Sequence, residues 1–145
     1  MIKVGNVSSL FYAGVTGSIF ESELALDQKG IIKDKHYNKD RERSVLIASL
    51  DSYILANEHG IDMPYGALGE NLLIDYNPYH LEAGTRLKIA DVILEISQHC
   101  TLCKSFSKID AKLPELLKED RGIFAQVIES GCIKEDDAIY LVSEI

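Results

Sequence analysis

The segment Ser97-Gln98-His99-Cys100-Thr101-Leu102-Cys103-Lys104 places two thiols, an imidazole and an ammonium at the end of an alternating apolar run, Val92-Ile93-Leu94-Glu95-Ile96. A thiol is a nucleophile or a metal ligand only as thiolate, a form that neighbouring positive charge favours. Lys104 beside Cys103 supplies such a charge, and His99 adds another when protonated. Three chemistries are open to this arrangement: holding a metal, exchanging electrons as a dithiol, or carrying sulfur or a cofactor.

A structural zinc site needs a second ligand pair at similar spacing. Only Cys132 follows, and His36, His59 and His80 could complete a site only if the fold brought them close. A thioredoxin-type dithiol opens a long helix in a βαβ setting. Here the residues after Cys103 are polar and include Pro114, and the surroundings read as β. The plain alternative is that the cysteines are small buried hydrophobes. That reading suits Cys100 better than Cys103, and Cys132, between Gly131 and Ile133, is expected to be structural or exposed.

Three further clusters carry polar chemistry. Gly30-Ile31-Ile32-Lys33-Asp34-Lys35-His36, followed by Arg43-Ser44-Val45, combines acid, base and guanidinium in a stretch that would otherwise read as a solvated loop. Gly66-Ala67-Leu68-Gly69-Glu70-Asn71-Leu72 is a glycine-punctuated turn that carries an acid and an amide into a strand. Arg121-Gly122-Ile123 opens a strand with a cation.

The elements that must position these residues follow from period and punctuation. Val4 to Phe11 reads as a strand, and Phe20 to Leu26 alternates as a second, with Phe20, Ser22, Leu24 and Leu26 on one face. Asp27 to Gly30 is a turn, and Gly30 to Arg43 is too charged for anything but a loop. Val45 to Ala48 suits a buried strand. Ser49 is the expected N-cap of a helix with Leu50, Tyr53, Ile54 and Asn57 at helical spacing, stopped at His59-Gly60. Asn71 to Ile74 is a short strand; Thr85 to Ile89 and Val92 to Ile96 form a hairpin across Ala90-Asp91. Ile109 to Lys118 fits a helix with Leu113, Leu116 and Leu117 together, provided that Pro114 falls in its first turn. Ile123 to Ile128 and Ala138 to Val142 close the chain as strands. Seven or eight short strands with two or three short helices predict a mainly β, barrel-like fold rather than a βαβ sheet.

The 145 residues, 46% apolar and 26% charged, suit one globular domain spanning 1–145. A net charge of −8 argues against nucleic-acid binding, which needs clustered Lys and Arg, but leaves room for an anionic small molecule at a local patch. No apolar stretch reaches the ~20 residues of a membrane span, no signal-like segment is visible, and the odd count of three cysteines excludes a complete disulfide framework. A cytoplasmic protein with no membrane partner is expected.

Taken in order, these clusters resemble the MOSC family, the domain at the C-terminus of molybdenum cofactor sulfurases. That family has a Gly-x-x-x-Asp-x-His loop with a downstream Arg-x-Val, a Gly-x-x-Gly-Glu-Asn-Leu turn, a hairpin, a Gln-to-Cys segment and an Arg-Gly-Ile strand. The matching residues here are Gly30, Asp34 and His36; Arg43 and Val45; Gly66, Gly69, Glu70, Asn71 and Leu72; Gly84 to Leu87; Gln98 and Cys103; and Arg121 to Ile123. The chain departs from the pattern at Thr85, at Ala90-Asp91 and in the approach to the thiol, where an arginine and two prolines of the family are absent and Cys100 stands in the arginine's place. The resemblance implies a MOSC-type β-barrel and selects Cys103 as the family cysteine, the sulfur carrier or molybdenum ligand. It also implies molybdenum cofactor (molybdopterin) binding. Asp34, Arg43, Glu70, Asn71, Lys104 and Arg121 would line the cofactor site, and His36 would be a further hydrogen-bond donor or a proton shuttle. The implied partners are a sulfur donor or an external reductase. Implied activities are cofactor sulfuration or reduction of N-hydroxylated compounds; a non-catalytic interaction module or a structural zinc protein is the alternative.

Overall fold

A computed structural model describes residues 1–101 and 109–142. Its strands are β1 (Ile2–Ala13), β2 (Ser18–Glu21), β3 (Glu23–Asp27), β4 (Gly30–Ile31), β5 (Val45–Ser49), β6 (Leu72–Ile74), β7 (Arg86–Ile89), β8 (Val92–His99), β9 (Ile123–Glu129), β10 (Gly131–Lys134) and β11 (Ala138–Leu141). The described helices are α1 (Leu50–Glu58) and α2 (Leu113–Leu116), with a 3-10 turn at Arg41–Arg43.

The main sheet runs β11-β7-β8-β9-β5-β6-β1, and β11 pairs back onto β1. Seven strands thus close a barrel, which removes the open edges an all-β sheet would otherwise expose. Strand β2 hangs on the far end of β1, and β10-β3-β4 form a separate sheet. The long β1 makes closure possible because it changes partner along its length. Ile2 to Asn6 pair with β11, Val7 to Leu10 with β6, and Leu10 to Ala13 with β2. Register breaks at Lys3/Gly5 and Val7/Ser9 bend it around the corner. A Cβ at Gly5 would lie 2.3 Å from Asp75 Oδ1 and would displace that carboxylate from its hydrogen bond with Asn6 N–H.

The barrel interior is the apolar face of these alternating strands. Val92, Leu94 and Ile96 of β8 and Ile123, Ala125 and Val127 of β9 point inward, against Val45, Ile47, Leu87 and Ile139. Leu24, Leu26, Ile31 and Ile133 of the smaller sheet join the same core. The only parallel pairing among the described strands is β5 with β6, joined through α1. All five residues of β5 are buried because its outer face is covered as well. That cover is a second cluster in which Ala48 and Leu73 pack against Tyr53, Ala56, Leu68, Leu113 and Leu117.

Several expectations shift in detail. The Phe20 to Leu26 run is broken at Ser22 into β2 and β3, and Phe20 leaves the face of Leu24 and Leu26 to lie 55% exposed. It packs edge-on against Phe11, with ring centroids 6.0 Å apart. Ser49 caps α1 as expected, its Oγ accepting from Asp51 N–H at 3.0 Å. The buried face of α1, however, is Ser52, Tyr53 and Ala56, and Ile54 is exposed. The helix around Pro114 contracts to Leu113–Leu116, which puts the proline in the first turn. Strand β10 is additional to the strands read from periodicity, and so is β4, where Gly30 and Ile31, at the start of the expected loop, pair with β3 and Ile31 enters the core.

Candidate functional site

The loop from β4 to β5 is tied down by one buried carboxylate. Asp34 Oδ2 accepts from Ala13 N–H at 2.7 Å and from Asn71 Nδ2 at 3.0 Å. Its Oδ1 accepts from His36 N–H and meets His36 Nδ1, both at 2.8 Å. Four donors on two oxygens use the whole acceptor capacity of a carboxylate. A carboxylate only accepts, so Nδ1 carries the ring proton and Nε2 is the acceptor nitrogen of the neutral imidazole. The Asp34 side chain is 1% exposed and that of His36 is 59% exposed. The pair therefore has a fixed inner member and a solvent-facing outer one, the arrangement of an oriented proton acceptor.

Asn71 completes the frame. Its Oδ1 accepts from Leu46 N–H at 2.9 Å, and its Nδ2 also donates to Phe11 carbonyl at 3.2 Å. The side chain thus ties β5 and β1 to the Asp34 loop just ahead of β6.

Above this frame lies an open cleft of about 520 Å³. Its rim carries His36, Lys39 and Arg43 beside the exposed Asp40, Asp34 lies at its base, and its walls include Leu68, Gly69 and Phe124. The Arg43 guanidinium sits 4.9 Å from the Phe124 ring centre, a cation–π contact that holds its direction. Three basic side chains at the mouth of a cleft suit a phosphate or another oxyanion. A second cleft, about 660 Å³, is lined by Tyr79, His80, His99, Lys118 and Asp120. Burial, reinforced by Glu119 and Asp51, pushes the Asp120 carboxyl above its usual range. Cys100 lines both clefts.

The structure brings Asp34, His36, Arg43 and Asn71 together at the first cleft. It places Glu70 and Arg121 elsewhere. Glu70 is fully buried under the loop that precedes it, its Oε2 accepting from Tyr53 hydroxyl at 2.5 Å and from Gly66 N–H at 3.2 Å. Burial raises its carboxyl above the ordinary value, and Oε1 has no hydrogen-bond partner among the described residues. Gly66 has φ +93°, and a Cβ there would lie 3.0 Å from the Phe11 ring. Glu70 therefore braces a tightly folded glycine turn instead of facing the cleft. Arg121 spends its fork on backbone, donating from Nη1 to Thr101 carbonyl and from Nη2 to Pro114 carbonyl, both at 2.8 Å. Cys103 and Lys104 lie outside the described residues.

Lys39, Leu68, Gly69 and Phe124 were not among the expected site residues. Phe124 was discoverable: it stands on the outward face of β9 between the inward Ile123 and Ala125. Cys132 is exposed on β10, and a hydrogen bond to Glu23 pushes its thiol up. Among the described residues no group of three or more His, Cys, Asp and Glu could hold a metal.

The MOSC domain family matches this sequence over residues 33–140. The chain belongs to the MOSC domain family. This MOSC domain shares its fold with the YuaD protein of Bacillus subtilis, at a TM-score of 0.80, 18% identity and 93% coverage of both chains. YiiM from Escherichia coli aligns at a TM-score of 0.69 and 19% identity, covering 97% of this chain and 71% of that one. YiiM from Geobacillus stearothermophilus aligns at 0.67 and 14%, covering 98% and 75%. No curated protein sequence matches the chain. MOSC domains are associated with molybdenum cofactor binding and sulfuration. No helix among the described residues is long and apolar enough to cross a membrane. The family match begins after β1, yet the MOSC barrel here closes through β1, so residues ahead of residue 33 are integral to it.

Proposed function

We propose that this MOSC domain binds the molybdenum cofactor in the cleft above Asp34 and His36 and works through the thiol of Cys103. The supporting observation is the basic rim of His36, Lys39 and Arg43 on a chain whose net charge is −8. The donor set suits the group. Arg43 and Lys39 would hold its phosphate through charge-assisted hydrogen bonds. A Cβ on Gly69 would meet no protein atom within 4 Å, so the backbone at the cleft wall is open to a flat ring system. When bound, the cofactor would supply a metal that changes oxidation state and holds oxygen or sulfur ligands, for which a thiolate is a well-matched partner.

The chain's own residues have separate tasks in this reading. Asp34 fixes the His36 tautomer, and Nε2 of His36 takes up or returns a proton at the cleft mouth. Asn71 and Glu70 keep the two loops in place. Lys104, next to Cys103 in sequence, favours its thiolate. Arg121 holds the backbone at Thr101 and Pro114, on either side of the thiol in sequence. Reductive chemistry, such as on an N-hydroxylated compound, would draw electrons from an external reductase; sulfuration would draw sulfur from a donor protein. A cytoplasmic setting would keep the thiol reduced.

The test is metal and pterin analysis of the protein isolated from its native host. Molybdenum with pterin fluorescence that is lost in Cys103→Ala and kept in Cys132→Ala is the expected result. One equivalent of zinc without molybdenum overturns the reading. Sulfane sulfur on Cys103, seen by intact mass before and after reductant and without molybdenum, would identify a sulfur carrier instead.

A further inference from the structure

Six of the 15 lysines and arginines fall within Lys29–Arg43, together with only three acids, leaving nine cations against 20 acids in the rest of the chain. An isolated charge run of this kind is ordinarily a solvated loop. This one is held rigidly from beneath. Asp34 anchors its middle to β1 and Asn71; Lys35 N–H donates to Ala13 carbonyl at 2.9 Å; Asn38 N–H donates to Lys29 carbonyl at 2.9 Å. Tyr37 hydroxyl donates to Asp27 at 2.5 Å, and Arg41 Nε donates to Gln28 carbonyl at 3.0 Å. Among the described residues Lys35, Lys39, Arg41 and Arg43 form no ion pair; Lys33 alone of these cations meets an acid, Glu21, at 3.6 Å. The loop is thus a preorganised surface with an excess of three cations over acids on a protein whose net charge is −8. Its inner edge, at Lys39 and Arg43, is the rim of the cleft.

We propose that this loop is the docking surface for a small acidic electron-carrier protein. A nucleic acid fits poorly, because the remainder of the chain would repel its phosphates. An acidic protein patch that meets only the loop avoids that repulsion and is steered to the cleft mouth. Encounters between redox proteins bury little surface and rely on such steering. The inference rests on the cofactor reading for its purpose: the carrier's flavin hydroquinone would be oxidised to the quinone, and its two electrons, with two protons, would reduce an N-hydroxylated substrate at the cleft to the amine and water.

The probe is a purified flavodoxin of net negative charge, with association to the full chain followed by surface plasmon resonance at ~50 to ~300 mM salt, a range over which screening of exposed charges becomes severe. Binding that weakens steeply with salt is expected. Lys35→Glu/Arg41→Glu should slow association by about tenfold or more, within the range that steering contributes. Lys3→Glu/Lys134→Glu, an equal change in net charge elsewhere, should leave it within about twofold of wild type. Lys35→Glu alone, whose side chain makes no hydrogen bond among the described residues, should show part of the effect while preserving the fold. No binding by wild type, or equal loss in both double variants, overturns the proposal. Molybdenum content is measured on the same preparations. A loaded protein that ignores flavodoxin refutes the docking alone; one that binds flavodoxin without ever carrying molybdenum refutes the cofactor reading alone.

Discussion

Asp34 and Asn71, 37 positions apart, meet at 3.0 Å through Oδ2 and Nδ2, and this contact fixes the histidine loop to the start of β6. Through it the loop, β1 and β5 share one buried polar frame. Such a frame is stabilising only when every member is satisfied.

Asp34→Asn should therefore be destabilising despite its similar size. The new amide nitrogen cannot accept, so whichever way it turns, donors on Ala13, His36 or Asn71 are left without an acceptor. The expected loss is ~2–4 kcal/mol, measured as a fall in the urea midpoint at unchanged m. An Asp34→Asn protein as stable as wild type would mean that the four contacts contribute nothing net.

The apolar skeleton of this barrel was legible because β8 and β9 alternate strictly, and one face of each lies in the core. The Asp34–His36 pair and Asn71 could be placed from their motifs, since a turn and a strand start were both visible around them. The distinction between Asn71 and its neighbour Glu70 was not legible. Adjacent residues entering a strand point to opposite sides, and which side is the cleft depends on the β5–β6 crossover. Tyr53, the hydroxyl that captures Glu70, is 17 positions upstream on α1, and no local pattern links the two. Arg121 likewise looked like a ligand-binding cation because its acceptors are backbone carbonyls, which carry no sequence signature. The charge run of Lys29 to Arg43 read as a loop, and its rigidity became visible only with the buried Asp34 beneath it.

Glu70 should give the protein a pH dependence of unusual sign. Burial raises its folded-state pKa above the ordinary 4.5, so between the two values the folded protein binds more protons than the unfolded chain. Its contribution is complete below 4.5 and is lost as the pH rises through the folded value. In Glu70→Gln this dependence should disappear. The amide oxygen can still accept from Tyr53 and Gly66, and no buried charge remains. Unfolding curves from pH 4 upward, wild type against variant, should converge at the acid end and favour the variant by ~1–3 kcal/mol at neutral pH. A variant that is less stable at every pH would show that Glu70 is held as a paired carboxylate.

Arg121 should act as a structural clamp. Its two terminal nitrogens each hold a carbonyl, one before and one after the segment that contains Cys103. Arg121→Ala removes both bonds and should cost ~1–3 kcal/mol. Arg121→Lys should recover less than half of that, because a single ammonium cannot reproduce the planar fork. Chemical denaturation of the three proteins measures the order, and equal stability of the lysine variant and wild type would remove the clamp.

Arg43 and Phe124 should contribute unequally to cofactor retention. The guanidinium offers charge and directed donors to an anion, whereas the ring, 4.9 Å away, only holds the guanidinium in place. A charge-assisted hydrogen bond is worth ~1.5–3 kcal/mol, so Arg43→Ala should weaken retention by at least tenfold. A cation–π contact at a solvent-facing site is worth ~0.5–1 kcal/mol, so Phe124→Leu should weaken it about two- to fivefold. Pterin released per mole of protein after graded dialysis measures both, and in Arg43→Ala the second substitution should add nothing further, since the ring then has no guanidinium to orient. Additive losses in the double variant would mean that Phe124 touches the bound group directly.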